Sequence, residues 1–146
     1  MERKEFIKKC SFACLGLMGL SAIAESCTAG RSLAGKIDDQ KLLTVPLSSF
    51  INARNNGKYK DYIIIRNEEL NYPIVVYRIS EKEYTALLLR CSHQQNELTV
   101  SGELLSCPAH GSTFNTNGDI VNGPAEMKLR QFPTKTDAQS LYIDLA

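Results

Sequence analysis

The sequence predicts an all-β fold, an antiparallel sandwich or barrel. Runs of β-branched, aromatic and leucine residues have the length of strands, and turn pairs such as Ser101-Gly102 and Asn117-Gly118 separate them at short intervals. A long helical period of apolar residues does not occur in residues 41–146. Short strands joined by tight turns are typical of antiparallel sandwiches and barrels.

The length and charge of the chain indicate a single domain with no nucleic-acid partner. The 146 residues, 43% of them hydrophobic, are enough for one domain. Residues 1–26 contain 4 of the 17 basic and 3 of the 16 acidic residues, so the remainder has thirteen of each and is neutral. A neutral chain with scattered basic residues lacks the electrostatic features of a nucleic-acid-binding protein.

Residues 1–26 are predicted to be an export signal. Basic residues between Arg3 and Lys9 precede an uncharged run that ends at Ala24. This run is shorter than the roughly 20 apolar residues that a membrane-spanning helix needs, and an uncleaved anchor is the less favoured alternative. The segment RKEFIK from Arg3 to Lys8 resembles the twin-arginine signal R-R-x-F-L-K, with Lys4 in place of the second arginine. The twin-arginine pathway exports proteins that have already folded around a cofactor.

Two processing sites stay open. Ala22-Ile23-Ala24 fits an ordinary signal peptidase, whereas Ala24-Glu25-Ser26-Cys27 resembles a loose lipoprotein box with Cys27 as the acylated residue. Lipidation is favoured because Cys27 follows the apolar run closely and has no evident disulfide partner. The protein would then lie on the periplasmic side of a bacterial membrane, held there by the Cys27 lipid or by the N-terminal segment. Residues 27–40 are predicted to be a tether.

The folded domain is predicted to span residues 41–146. Its aromatic side chains are expected to pack between strands rather than to form a binding platform. A short helical piece is predicted near residues 47–56. Nine strands are predicted, at 42–47, 62–66, 74–78, 84–89, 98–100, 104–106, 120–121, 128–132 and 141–145.

The strongest functional signal is a pair of short motifs that contain both histidines of the chain. Cys91-Ser92-His93 is followed by thirteen residues and then by Cys107-Pro108-Ala109-His110. Two loops that each offer a thiolate and an imidazole can bind zinc or an iron–sulfur cluster. Zinc sites on short loops usually have uniform Cys-x-x-Cys and His-x-x-x-His pairs. Mixed pairs favour a two-iron cluster in which each loop contributes to both irons, and zinc remains the alternative.

These residues resemble the Rieske iron–sulfur proteins, whose motif is C-x-H, a spacer and C-x-x-H. The run from His110 to Phe114 is similar to the family's sequence after the second histidine, and Gly123-Pro124-Ala125 is similar to its proline loop. The resemblance implies a sandwich or barrel base with a small inserted cluster-binding subdomain at about 91–125. It also implies a [2Fe–2S] cofactor whose ligands are Cys91, His93, Cys107 and His110. Ser112 is implied as a further residue that binds the cofactor.

Several residues near the motif imply how the cluster would be tuned. Ser112 matches a family serine whose hydroxyl bonds a bridging sulfur. Phe114 stands where high-potential members have a tyrosine that bonds a ligand sulfur. Asn96 and Ala109 occupy the positions where respiratory members have two disulfide-forming cysteines. The resemblance is therefore to an exported, respiratory-type Rieske subunit that lacks the loop disulfide, with an intermediate or lower potential.

The function expected from this resemblance is one-electron transfer. The protein would be a subunit or partner of a membrane quinol-oxidising complex of the cytochrome bc type, or of a periplasmic oxidoreductase. Its partner would be a cytochrome b or c or that oxidoreductase, and quinol is a candidate donor. The alternatives are a soluble Rieske ferredoxin-like carrier for an oxygenase and a zinc-bound structural module. No independent catalytic site is expected in the chain.

Overall fold

A computed structural model describes residues 32–146 as an all-β structure, which confirms the predicted fold class. The export signal, Cys27 and the first part of the predicted tether lie outside the described residues. Within residues 32–146, no helix is long and apolar enough to cross a bilayer. The strands are β1 (Ser32–Ala34), β2 (Lys36–Ile37), β3 (Leu42–Pro46), β4 (Tyr62–Arg66), β5 (Ile74–Arg78), β6 (Tyr84–Leu88), β7 (Thr99–Ser101), β8 (Leu104–Ser106), β9 (Thr113–Phe114), β10 (Ile120–Asn122), β11 (Gln131–Phe132), β12 (Thr134–Thr136) and β13 (Ser140–Asp144).

The strands form three sheets. The central sheet has the order β1-β4-β5-β6-β11, the back sheet has the order β12-β13-β3-β2, and the site sheet has the order β10-β9-β8-β7. β1 pairs with β4 in parallel, whereas the other strand pairs of the described residues are antiparallel. A 3-10 helix at Leu47–Phe50 follows β3, so the predicted helical piece at 47–56 is present only in its first turn.

The central sheet is buried on both faces, and this explains the composition of its strands. Ile63 and Ile65 contribute to one core, which lies against the back sheet, while Tyr62 contributes to a second core against the site sheet. Successive strand residues point to opposite faces, so a sheet covered on both sides needs apolar residues at nearly every position. The continuous run Ile74-Val75-Val76-Tyr77 in β5 is accordingly buried throughout.

The second core attaches the site sheet to the central sheet. Tyr77 and Leu87 of the central sheet pack in this core with Leu105 and Phe114 of the site sheet. The Tyr77 hydroxyl also donates a hydrogen bond of 3.0 Å to the Gly102 carbonyl in the turn between β7 and β8. Burial is the main reason that the pKa of Tyr77 lies well above its usual value. The tyrosine thus stays a neutral donor at the base of the site sheet.

The predicted tether is partly wrong, because its residues 32–37 belong to the folded domain. β1 pairs with the central sheet through β4, and β2 pairs with the back sheet through β3. Leu33 and Ile37 are partly buried against the first core. Strands of two and three residues are too short to show a period of two, so only tertiary pairing identifies them.

Three further differences between the predicted and observed strands also depend on tertiary pairing. The predicted strand at 128–132 is reduced to β11, because the backbone of Leu129 bonds to Gly118 while Arg130 bonds to Leu88. The chain there passes from one sheet to another and cannot form a continuous ladder. β9 and β12 were not predicted from the sequence, and each contains only two or three residues.

Gly35 should be essential where the chain crosses from β1 to β2. An added Cβ would collide with Cδ1 of Leu43 and would lie 2.8 Å from Cγ2 of Ile65, and both side chains are fully buried. We therefore expect Gly35→Ala to lower the free energy of unfolding by about 1–3 kcal/mol, as overpacking of a filled core does. Urea denaturation measures this loss. Gly102→Ala is the comparison variant: an added Cβ there meets no atom within 4 Å, but the residue has a positive φ, so any loss of stability reports backbone strain rather than steric overlap.

Candidate metal centre

The two predicted ligand loops have the same local hydrogen-bond geometry. In the first loop, which follows β6, the Gln95 amide donates to the Cys91 carbonyl at 2.9 Å, and the Cys91 amide donates to Asn96 at 2.8 Å. In the second loop, between β8 and β9, the corresponding bonds run from Gly111 to Cys107 at 3.0 Å and from Cys107 to Ser112 at 2.8 Å. Each cysteine therefore begins a tight turn whose fifth and sixth residues bond back to it.

Both turns use a left-handed residue at the same position. Gln95 has φ 60° and Gly111 has φ 78°. Glycine adopts this conformation freely, whereas glutamine does so at an energetic cost. The first loop therefore depends on its hydrogen bonds to hold this turn, and the second loop has a residue suited to it.

The fold places the four predicted ligands as two pairs, sorted by type, and no three His, Cys, Asp or Glu side chains of residues 32–146 are grouped closely enough to hold a single metal ion. Cys91 and Cys107 are both buried in the second core. His93 and His110 are exposed, and their ring centroids lie 5.0 Å apart with an angle of 88° between the planes. The site thus has an inner sulfur pair and an outer nitrogen pair.

The surroundings of Cys107 favour its thiolate. Burial raises the pKa of the thiol, but hydrogen bonds from the backbone amides of Ala109 and His110 and from the Cys91 thiol oppose this effect. The net result is a pKa of Cys107 below its usual value. Because the thiolate is the form that binds metal, the turn prepares this residue as a ligand.

A third loop, residues 123–130 between β10 and β11, contacts both ligand loops. The hydroxyl of Ser112 is fully buried and accepts a hydrogen bond of 3.0 Å from the amide of Ala125. The peptide bond between Gly123 and Pro124 is cis. The segment that resembles the proline loop therefore lies against the second ligand loop. Ser112 accepts in this bond, so its own proton stays available to a group in the site.

Two further residues of this arrangement were not predicted from the sequence. The hydroxyl of Ser92 donates to the carbonyl of Met127, which joins the first ligand loop to the third loop. The side-chain amide of Asn122, the last residue of β10, donates to the carbonyl of Gly111 at 3.3 Å, which joins the second ligand loop to β10. A serine between two ligands was a recognisable signal for Ser92, whereas nothing in the sequence indicated the partner of Asn122.

The residues expected to tune the cluster can be located in the structure. Phe114 is fully buried in the same core as Cys91 and Cys107. Within residues 32–146, both cysteines are free. The side-chain amide of Asn96 donates to Gln94 at 3.4 Å, and the backbone of Asn96 closes the first turn. The loops are therefore held by hydrogen bonds and core packing at the position where respiratory members have a disulfide.

The donor set fits a two-iron cluster. A cluster of this kind with mixed ligands has two thiolates on one iron and two imidazoles on the other, and the structure groups the side chains in the same way. The hydroxyl of buried Ser112 accepts from Ala125, so its hydrogen can be donated to a negatively charged cluster with thiolate ligands. The fold and the site thus define an iron–sulfur protein with histidine and cysteine ligands.

The chain belongs to the Rieske [2Fe-2S] domain family, whose sequence model matches residues 54–133, more than half of the chain. The cofactor is therefore a [2Fe–2S] cluster, which replaces the alternative of a zinc module. When bound, the cluster takes up and releases one electron. Cys91, His93, Cys107 and His110 are the residues that would hold it, and Ser112 would donate to it.

Comparisons with known proteins show several kinds of Rieske relative. The chain is 32% identical over 77 residues to the iron–sulfur subunit of the toluene-4-sulfonate monooxygenase system of Comamonas testosteroni, covering 51% of this chain and 21% of that protein. It is 26% identical over 46 residues to the cytochrome b6-f complex iron–sulfur subunit of Chlorobaculum tepidum, covering 32% of this chain and 25% of that protein. The chain thus spans a quarter or less of the length of these relatives.

A solved structure supports the fold. A chain in the complex of reduced oxygenase and oxidised ferredoxin of carbazole 1,9a-dioxygenase matches with a TM-score of 0.52 and 22% sequence identity. The match covers 73% of this chain and 94% of the other. At this level of identity the likeness concerns the fold. One of these relatives is named as a subunit of a monooxygenase system and another as a subunit of a cytochrome complex. The Rieske domain implies one-electron transfer through its [2Fe–2S] cluster.

Proposed function

We propose that this protein is an exported, lipid-anchored electron carrier whose cluster is bound by Cys91, His93, Cys107 and His110. It would serve as a subunit or partner of a membrane quinol-oxidising complex of the cytochrome bc type, or of a periplasmic oxidoreductase. The observation that carries the proposal is the sorting of the ligands. The thiols are buried in the core and the imidazoles are exposed, so electrons would enter and leave at the histidine edges.

The surface around the histidines suits contact with a large partner. Met127 is exposed by 66% and lines the same groove as His93 and Pro124. An exposed apolar side chain beside a redox site suits a contact surface. A partner that covers Met127 would bring its own redox centre close to the imidazole of His93.

The exported location is supported by the leader sequence and by the position of Cys27. Ser32, the first residue of β1, follows Cys27 by only five positions. A fully extended chain of that length spans at most about 18 Å. A lipid on Cys27 would therefore hold the domain close to the membrane surface, with much less freedom than a tether of fourteen residues would allow.

A soluble ferredoxin-like carrier for an oxygenase is the second candidate. It is favoured by Asn96 and Ala109, which stand where respiratory members have the two cysteines of the loop disulfide. The match to a chain of the carbazole dioxygenase complex supports the same candidate at the level of fold. The two candidates differ in location, so localisation separates them.

The export experiment tests the location. In a bacterial host with a twin-arginine pathway, we expect the protein in the membrane fraction, facing the periplasm. Changing Arg3 and Lys4 together to glutamine should keep it inside the cell, because the pathway reads the basic pair. Cys27→Ala should release it into the soluble periplasm, because a lipid anchor needs the thiol.

Immunoblots of spheroplast and membrane fractions provide the measurement. Cys10→Ala is a matched control, since it changes a leader cysteine outside the lipoprotein box and should alter nothing. Membrane attachment that persists in the Cys27 variant would support an uncleaved anchor. An intracellular wild-type protein would contradict the proposal and favour the ferredoxin-like carrier.

A further inference from the structure

A groove beside His93 is lined by three basic residues, Arg90, Lys128 and Arg130, and by no acidic residue. Its cavity volume is about 290 Å³, and its walls include Cys91 and His93. The groove therefore joins a concentration of positive charge to the ligand at which electrons are expected to enter or leave.

Among residues 32–146, neither arginine of the groove forms an ion pair with an Asp or Glu side chain, because the two side-chain ion pairs are Arg66–Glu97 and Lys128–Asp119. Arg130 also donates to the main-chain oxygen of Ala146 at 3.5 Å, so Arg90 is the arginine with the less compensated charge. The Lys128–Asp119 pair, at 3.2 Å, is exposed, and Asp119 does not line the groove. Exposed pairs of this kind are weak, so a partner's carboxylate can compete for the lysine.

The arginines are held in place by neighbouring groups. Arg130 donates to the carbonyl of Leu145 at 3.2 Å and lies 4.7 Å from the ring centre of Phe132. Arg90 lies 5.9 Å from the ring centre of Tyr72. A guanidinium held by an aromatic ring and backbone oxygens keeps its charge and its free N–H groups available.

The charge is confined to one side of the histidine. A second groove at His93, formed with Pro124 and Met127, includes the acidic Glu126 and has no basic residue in its wall. The outer face of the site therefore has a positive side and a weakly negative side. This asymmetry gives an approaching protein one favoured orientation, because complementary charge guides encounter and excludes like-charged surfaces.

We propose that the groove of Arg90, Lys128 and Arg130 is the docking surface for the acidic face of a redox partner protein, which delivers or receives the electron at His93. This inference rests on the proposed electron-carrier function and names the chemistry of its partner. The reaction is a single electron transfer: one electron passes between the protein and its partner, one of which is oxidised while the other is reduced, with no bond made or broken.

The first experiment uses small redox probes of opposite charge. The full-length protein, with its cluster reduced, is mixed with ferricyanide, an anion, or with tris(phenanthroline)cobalt(III), a cation, at increasing sodium chloride. We expect the ferricyanide rate constant to fall several-fold from low to high salt, because salt screens the attraction. The rate constant with the cationic probe should rise or stay constant.

Variants test whether the local groove causes the effect. Arg90→Met and Lys128→Met should each lower the ferricyanide rate at low salt several-fold. Arg54→Met makes the same change in net charge in the exposed turn before β4 and should leave the rate near the wild-type value. An equal loss in the control would show that net charge, rather than the groove, governs the rate, and would overturn the inference.

A binding measurement gives a readout that does not depend on electron transfer. A fluorescent hexaglutamate peptide serves as the acidic probe, and its anisotropy should rise with the wild-type protein and much less with Arg90→Met. Inorganic phosphate at constant ionic strength should not displace it. Displacement that saturates with phosphate would identify a small-anion site instead. If the wild-type protein showed no paramagnetic resonance signal from a reduced cluster, the proposed electron-carrier function would be refuted. If the cluster were normal but the ferricyanide rate constant did not depend on salt, only the docking surface would be refuted.

Discussion

Replacing any one of the four ligands should abolish the cluster. Purified wild-type protein beginning at about Gly30 should contain two irons and two sulfides and should give the reduced-state paramagnetic resonance signal of mixed histidine and cysteine ligation. Cys107→Ser, His110→Ala and the equivalent changes at Cys91 and His93 should lose the signal and the bound iron. Each iron would have two protein ligands, and an incomplete pair cannot retain it.

The same changes should weaken the fold around the site, because metal-binding free energy is also folding free energy. Thermal denaturation should therefore show a lower midpoint in each ligand variant. Leu104→Ala is a suitable control, since Leu104 lies on β8 of the site sheet, three residues before Cys107, with 45% of its surface exposed. It should keep both irons and the signal. A normal signal in any ligand variant would remove that residue from the ligand set.

The second large effect is expected on the reduction potential. Phe114→Tyr should add a hydroxyl beside the buried cysteine sulfurs, because Phe114 shares a core with Cys91 and Cys107. The sulfur accepts more strongly in the reduced state, so the bond stabilises that state. If the difference is ~1 kcal/mol, a modest share of what a bond to a charged group contributes, the one-electron potential rises by roughly 40 mV.

Ser112→Ala should shift the potential downward by a similar or larger amount, because it removes the buried donor whose proton is not used by Ala125. Protein-film voltammetry measures both shifts. Phe132→Tyr makes the same chemical change in the other core, away from the thiols, and should leave the potential unaltered. An unchanged or lower potential in Phe114→Tyr, with the cluster intact, would mean that this ring does not approach a ligand sulfur.

The metal motif could be predicted from the sequence because its information is chemical and local. The chain has two histidines, and both lie two or three residues after a cysteine, which restricts the site before any coordinates are known. The long central strands were also predictable. Their runs of isoleucine and valine occur because β4 and β5 are covered on both faces, and this leaves an unbroken apolar signal.

Only the tertiary structure decided features that depend on distant partners. Residues 32–37 read as a tether by composition, yet they pair with β4 and β3, which lie elsewhere in the chain. A strand of two or three residues has too few positions for a period, so its identity comes from the neighbour that accepts its hydrogen bonds. Gly35, small and unremarkable in the sequence, is required by the side chains of Leu43 and Ile65 that meet it.

The same distinction holds at the site. Which residue types bind the metal followed from thiolate and imidazole chemistry in the sequence. The separation into a buried cysteine pair and an exposed histidine pair required the second core, which encloses Cys91 and Cys107. The basic groove at His93 likewise joins Arg90 to Lys128 and Arg130 from a segment nearly forty residues later, because β11 lies beside β6 in the central sheet. Sequence order carries the chemistry of single residues, whereas strand pairing decides which of them share a surface.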